Sequence, residues 1–373
     1  LKCVRKVVHV TIGHPPTDDR IFFKEACSLA KNGCAVTIVG PGRAEQKEAS
    51  GVRFVLFAPN GFFHSLFAAY RLARCERADV YHIHEFEFLP FALWLKYKYG
   101  RKVIYDAHET VFWFFMDFSR RHFLIRLSAA CLAQGLEFLT MRGADYLITV
   151  TPWVEKHLRA FHPRRAIVYN YPITTIFDGN HAQHTPPLIL YHGQLTPGRN
   201  IELMIAAMRH VREHAPEAHL HLVGASTAAY RQILLRIVAD WNLTGQVKIL
   251  PPVPHSAIPE LLRQTAIGLA ALQLNESYRR SIQVKPFEFM AMGVPVIGAR
   301  VPSIEKYVVA SGAGLVVEPL TPENLGALLV RLLHDPGLRA EMGARGRQAV
   351  REKYNWDCTL PALLQVYRNL LAC

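Results

Sequence analysis

The sequence predicts an α/β protein built from two doubly wound parallel sheets in series. Short runs of Val, Ile and Leu alternate with helical stretches, and the alternation starts afresh after a polar interruption. The length of 373 residues exceeds one typical domain and fills two comfortably. Strands covered on both faces read as unbroken apolar runs, as these do.

In the first half, strands are expected at Lys6–Ile12, Ala35–Gly40, Arg53–Ala58, Asp79–His84, Lys102–Asp106, Tyr146–Thr151 and Ala166–Asn170. Helices are expected between them, over Arg20–Asn32 and Glu87–Tyr99 among others, with Gly33 closing the first. Lys2, Arg5 and Lys6 precede the first apolar stretch, as in a signal peptide. That stretch is short, β-branched and without a small-residue cleavage site, so a buried strand is expected there. The polar stretch Asp178–Pro187 is expected to link two domains. Beyond it, strands are expected at Leu188–His192, His219–Gly224, Val247–Leu250, Ile267–Leu272, Val294–Gly298 and Gly314–Val317. Helices are expected at Asn200–His214, Thr227–Trp241 and Glu323–His334, and Tyr354–Leu371 reads as one terminal helix. The expected domains are residues 1–180 and 181–353, with 354–373 a closing helix returning to the first. Ligands of such sheets bind at the carboxyl ends of the strands, so two of them imply a cleft.

The formal charge is +13. Residues 1–190 hold 24 Lys and Arg against 16 Asp and Glu; the remainder holds 19 against 14. Such a balance suits phosphate-bearing small molecules or an anionic membrane face. No zinc spacing, RNP-type aromatic motif or helix-turn-helix is present, so nucleic acid is not an expected partner. The seven cysteines are odd in number and form no CxxC, which fits a reduced, cytoplasmic protein. No unbroken apolar run reaches the ~20 residues of a membrane span. The aromatic stretch Val111–Leu139, interleaved with Arg120, Arg121 and Arg126, is read either as a peripheral contact with an anionic membrane or as core helices.

The segment Ser281–Gly298 carries the most chemical information. Lys285 and Glu288 lie three apart at a helix start and share one face. The cation and the helix-start N–H groups suit phosphate, and Glu288 suits ribose hydroxyls. An ordinary surface helix with an i,i+3 ion pair explains the same spacing. Arg199 stands at the start of another helix after a strand of the same predicted sheet, and strengthens the phosphate reading. Gly13 ends the first strand, where bare backbone suits phosphate, although the loop is not GxGxxG and its local sequence favours a plain, stiff connection at Pro15–Pro16. His84 is read as structural. His108 is read as functional, since Asp106 and Glu109 flank it. The histidines and carboxylates at His82, His84, Glu85 and Glu87 have no metal-ligand spacing, and no metal is expected.

Jointly these motifs resemble the retaining glycosyltransferases of family 4, of GT-B fold (glycosyl transferases group 1). KPFEFMAMGVPVIG resembles the donor-binding segment, and GQLTPGRNIELMIAAM the phosphate-binding turn. DVYHIHEFEFLPFAL, KVIYDAHE, ADYLITVT and IVYNYP resemble the landmarks of the first domain, and NWD with LLQVYRNLL the returning helix. The resemblance implies two Rossmann-like domains facing across a cleft, acceptor side first and nucleotide-sugar side second. It implies a metal-independent hexosyltransferase with no cofactor beyond its nucleoside-diphosphate sugar. It implies a glycan or lipid-linked acceptor of cell-surface polysaccharide synthesis, and a cytoplasmic protein seated at the inner face of the membrane. It assigns catalytic roles to His108, Arg199 and Lys285. Gly13, Gly193, Arg199, Gly224, Arg280, Ser281, Lys285 and Glu288 are implied to bind the donor, and the backbone of Ile249–Val253 its base. Two positions depart from the family pattern: Arg280 replaces a glutamate expected to contact the sugar, and Gln194 replaces an arginine at the phosphate turn. Arg280 supplying the charge, or Glu276 reaching the sugar, are the two compensations considered. A nucleotide-sugar epimerase and a noncatalytic nucleotide-sugar binder are the competing readings.

Overall fold

The computed structural model describes residues 5–43, 48–119, 121–177 and 187–371. The chain forms two compact units, Leu1–Asn170 with Trp356–Cys373, and Tyr171–Asn355. The division therefore falls at Asn170/Tyr171, before the expected 180/181. The Tyr171 ring explains this: it packs 5.0 Å from Phe287 and 5.6 Å from Tyr354, so the chain has already joined the second core. Of the expected linker, residues 178–186 lie outside the described residues.

The first sheet contains β1 Lys6–Val10, β2 Ala35–Pro41, β3 Glu48–Ala49, β4 Val52–Phe57, β5 Val80–Ile83, β6 Lys102–Ala107, β7 Tyr146–Thr149 and β8 Arg165–Ile167. Its order is β3-β4-β2-β1-β5-β6-β7-β8. Every pair is parallel except β3 with β4, a two-residue antiparallel edge too short to read in the sequence. β1 lies between β2 and β5, so the strand order reverses beside it and the loops after β1, β5 and β6 share one edge. The register sets His9 opposite His82. The terminal helix Trp356–Leu371 belongs to this unit. Trp356 Nε1 donates to Ser28 Oγ at 2.9 Å, and the Tyr169 amide to Thr359 Oγ1 at 3.0 Å.

The helix expected from Arg20 is capped by Asp18, whose carboxylate accepts the amides of Arg20 and Ile21. Its first part, Asp19–Ala26, is wound as a π-helix. The wider turn brings residues five apart to one side, so Arg20, Lys24 and Glu25 all point inward.

The second sheet contains β9 Leu188–His192, β10 His219–Val223, β11 Val247–Leu250, β12 Thr265–Ala270, β13 Val296–Ala299 and β14 Gly314–Val317. Its order is β11-β10-β9-β12-β13-β14, all parallel. The reversal lies beside β9. Ile189, Leu220, Ile267 and Ile297 are fully buried between helices on both faces, as the unbroken apolar runs require.

The stretch Val111–Leu139 forms two helices, Val111–Phe118 and Phe123–Met141. Contrary to the expectation from unbroken runs, Phe123–Met141 is long and apolar enough by length and composition to cross a membrane. Arg126, Gln134 and Glu137 interrupt it in the sequence without removing its apolar average. Neither is it a core helix, since only 22% of its apolar window is buried.

Candidate active site

In the second unit the chain leaves β9 at His192 and turns through Gly193 at φ +141°. A Cβ at Gly193 would lie 3.1 Å from Lys285 Cε. A Cβ at Gly224, after β10, would lie 1.6 Å from the Gly193 carbonyl oxygen, so only glycine fits there. Bare backbone thus meets the Lys285 stem at the carboxyl ends of β9 and β10. Lys285 opens the helix Lys285–Ala291, and Glu288 is buried one turn on. Its Oε2 stands 3.3 Å from His192 Nε2. Burial, then Lys285 and His255, hold His192 well below the usual histidine range. A neutral imidazole therefore backs the Glu288 carboxylate, a role the sequence reading missed.

Arg199 ends the turn Pro197–Arg199, just before the helix Ile201–His214. Asn200 between them takes a left-handed φ of +54° and donates through Nδ2 to the Ala271 carbonyl at 3.1 Å. The Arg199 guanidinium lies over the Tyr278 ring, 4.8 Å from its centre. Among the described residues no carboxylate forms an ion pair with Arg199 or Lys285, and both are partly exposed. Arg280 is ion-paired with Glu276 and also donates to its carbonyl at 3.2 Å. The two side chains considered as compensations therefore hold each other. Ser281 Oγ donates to the Tyr278 carbonyl at 3.4 Å. The Ile249 carbonyl, expected near the base, accepts Arg231 at 2.7 Å.

The first unit gathers its groups more tightly. His108 Nε2 stands 3.0 Å from Asp106 Oδ2, as their spacing suggested. Arg20 donates to both Asp106 oxygens at 2.9 Å and to the Val168 carbonyl at 2.9 Å. Burial favours the neutral acid, but Arg20 and then His108 outweigh it and hold Asp106 well below the usual carboxylate range. His84 touches both a strand and a loop: its Nε2 is 3.0 Å from His9 Nδ1 on β1, and its Nδ1 is 3.2 Å from Nε2 of His108, just past the end of β6. Sequence reasoning passed over Arg20, Glu25 and His9, because α-helical spacing and an unknown strand register hide their convergence.

Gly13 is placed differently from its expected role. Its amide donates to Glu85 Oε1 at 3.1 Å, and the Ile12 amide to Oε2 at 3.1 Å. Thr11 Oγ1 donates to Oε1 at 2.6 Å, and His14 Nδ1 lies 2.8 Å from the same oxygen. The loop's N–H groups, which the sequence reading offered to a diphosphate, are committed to a carboxylate of the same unit. The exposed apolar residues concentrate in this unit too: Phe63, Phe67 and Trp94, with Leu124, Leu132 and Leu139 on the helix Phe123–Met141.

Comparison with known proteins follows the division of the chain. Residues 172–349 match the family Glycosyl transferases group 1, and residues 22–175 match Glycosyltransferase Family 4. A D-inositol 3-phosphate glycosyltransferase of Acidothermus cellulolyticus is 29% identical over 192 residues, covering 50% of this chain and 41% of that protein. A GDP-mannose-dependent monoacylated alpha-(1-6)-phosphatidylinositol monomannoside mannosyltransferase of Corynebacterium glutamicum is 30% identical over 175 residues, covering 46% of this chain and 45% of that protein. The matches thus span only about half the length of these relatives, or less. Among solved structures, sucrose-phosphate synthase from Thermosynechococcus elongatus aligns with a TM-score of 0.80 at 19% identity over 99% of both chains. Anabaena Alr3699/HepE in complex with UDP and glucose aligns with a TM-score of 0.74 at 14% identity over 99% of this chain and 100% of that one.

Proposed function

The chain belongs to the GT-B glycosyltransferases of the group 1 and family 4 kind, and we propose that it moves a hexosyl unit, with retention, from a nucleoside-diphosphate sugar to a glycan or lipid-linked acceptor. The observation that carries this reading is the crossing of bare backbone at Gly193 and Gly224 under the Lys285 stem. A diphosphate can approach closely there. Glu288, backed by neutral His192, is the acceptor for the ribose hydroxyls. Departure of the nucleoside diphosphate builds negative charge on its β-phosphate, and Arg199 and Lys285 stabilise that charge. No carboxylate nucleophile is invoked: the acceptor attacks from the leaving-group face, and the charge stabilisation needs no metal. His108, held by Asp106, is assigned a part in turnover.

The exposed apolar residues of Phe123–Met141, with exposed Arg121 just before it, support a peripheral seat on an anionic membrane, on the cytoplasmic face. Relatives in the comparison include a mannosyltransferase named for a phosphatidylinositol mannoside, which supports a lipid-linked acceptor and a role in cell-surface glycans.

The test is a thermal-shift panel of nucleoside diphosphates and their sugars, followed by release of nucleoside diphosphate from the donor that binds. Release is expected with the transferase. An epimerase or a noncatalytic binder would bind the sugar nucleotide and release none. His108→Ala is expected to lower kcat more than donor affinity, because its contacts are made in the transition state. Binding to anionic but not neutral vesicles, reduced by salt, is expected of the membrane seat.

A further inference from the structure

Four side chains of the first unit converge where no water reaches. His9 lies on β1, His82 on β5, His84 directly after it, and Glu25 on the π-wound turn. His9, His82 and Glu25 are fully buried and His84 is 3% exposed. Each offers a donor atom within 4.8 Å of all the others.

Buried polar atoms are normally satisfied, and here several are not. His82 Nε2 and Glu25 Oε2 meet no hydrogen-bonding partner, and neither does His9 Nε2, the ring nitrogen other than the Nδ1 that faces His84. Glu25 Oε2 stands 3.9 Å from His9 Nδ1 and 3.7 Å from His82 Nε2, too far for hydrogen bonds. His9 Nδ1 and His84 Nε2 are 3.0 Å apart. A tetrahedral ion bound at ~2.0–2.1 Å holds its ligand atoms about 3.3 Å apart. The observed separations lie on either side of that value.

On three of the four side chains the atom facing away from the centre is held as metal ligands are usually held, by hydroxyl, carboxylate and guanidinium partners; His9 Nε2 has none. His82 Nδ1 lies 2.8 Å from the Tyr367 hydroxyl. His84 Nδ1 lies 3.4 Å from Asp106 Oδ2. Arg20 stands 3.0 Å from Glu25 Oε1 and leaves Oε2 to the centre.

We propose that His9, Glu25, His82 and His84 bind one divalent first-row ion, zinc by ligand set, in a closed site that ties β1, β5 and the π-wound turn together. Three imidazoles and a carboxylate suit that ion, and four protein ligands leave no open position, so the role is structural. The site's outer side adjoins His108 through His84, so its test reads metal content and melting rather than activity.

The full chain, carrying an affinity tag without histidines and purified without chelator, is analysed for metals. About one zinc per chain is expected, retained against a chelator while folded and lost on unfolding with it. Refolding with zinc should give a higher melting temperature than refolding without. Refolding with cobalt(II) should give the visible bands of a tetrahedral site. Glu25→Gln and His9→Asn should lose the metal, whereas His210→Asn, in an exposed cluster, should keep it. A metal content far below one per chain, with melting indifferent to zinc during refolding, overturns the proposal. So does full metal content in folded Glu25→Gln and His9→Asn. If neither variant folds, the wild-type cobalt spectrum decides, and the absence of tetrahedral bands overturns it.

Discussion

The two units carry charged groups at the same edge of similar parallel sheets and treat them in opposite ways. In the first, Arg20 is 2% exposed and spent on Asp106 and Glu25, and the loop amides at Ile12 and Gly13 are spent on Glu85. In the second, Arg199 and Lys285 are partly exposed, without a carboxylate partner among the described residues, beside a backbone kept bare by glycine. A buried charge must be neutralised within the fold, whereas a half-exposed one is available to an anionic ligand. The first unit's charges therefore act on the fold and on His108, and the second unit's are left available to an anion.

The comparison breaks most visibly at Arg20. Arg20→Leu leaves Asp106 and Glu25 buried without their cation and should cost about 3–5 kcal/mol of stability. Chemical denaturation of this variant beside Arg199→Ala makes the contrast, because Arg199→Ala should unfold near wild type. Equal destabilisation by both would erase the distinction.

Next in size come Arg199→Ala and Lys285→Ala in turnover. Each should lose about 2.7–4 kcal/mol of transition-state stabilisation, roughly 100- to 1,000-fold in kcat. Each should also weaken nucleoside diphosphate far more than the bare nucleoside. Calorimetric titration of both ligands checks this, and equal losses would remove these residues from the phosphate.

A third test sharpens the contrast by pH. Glu137 is fully buried, accepting from Tyr105 Oη at 2.6 Å and from Gln134 Nε2. Burial, only partly offset by those bonds, raises its carboxyl from 4.5 to about 7. The folded state then holds a proton that the unfolded state has released. Stability from this group is full below pH 4.5 and is lost as pH rises through about 7. At about 1.4 kcal/mol per pH unit the loss is about 3 kcal/mol. Glu137→Gln should flatten the melting profile over that window, and an unchanged slope would assign it to other groups.

The smallest expected effect is at Glu288. Glu288→Ala should raise the donor KM and lower kcat/KM by the ~1.5–3 kcal/mol of a charge-assisted hydrogen bond, with the fold intact. Unchanged donor kinetics would end the ribose assignment.

The periodicity of the sequence located most strands to within a few residues, and three of them, Leu188–His192, Val247–Leu250 and Gly314–Val317, at the same bounds. A parallel strand buried on both faces must be an apolar run, so its position is written locally. The motif at Lys285 and Glu288, and the pairing of His108 with Asp106, are short-range and were legible for the same reason. The joining point at Tyr171 was not, because an aromatic ring's packing partners lie far along the chain. The Glu25, His9, His82 and His84 cluster was hidden more deeply. It depends on the register of β1 against β5 and on a π-wound turn, and neither has a local signature. Gly13 shows the limit most clearly. Its sequence context offered a bare backbone to an anion, and only the tertiary structure decided that the anion is Glu85, 72 residues away. Local sequence specifies which groups can bind; long-range packing specifies which of them are already bound.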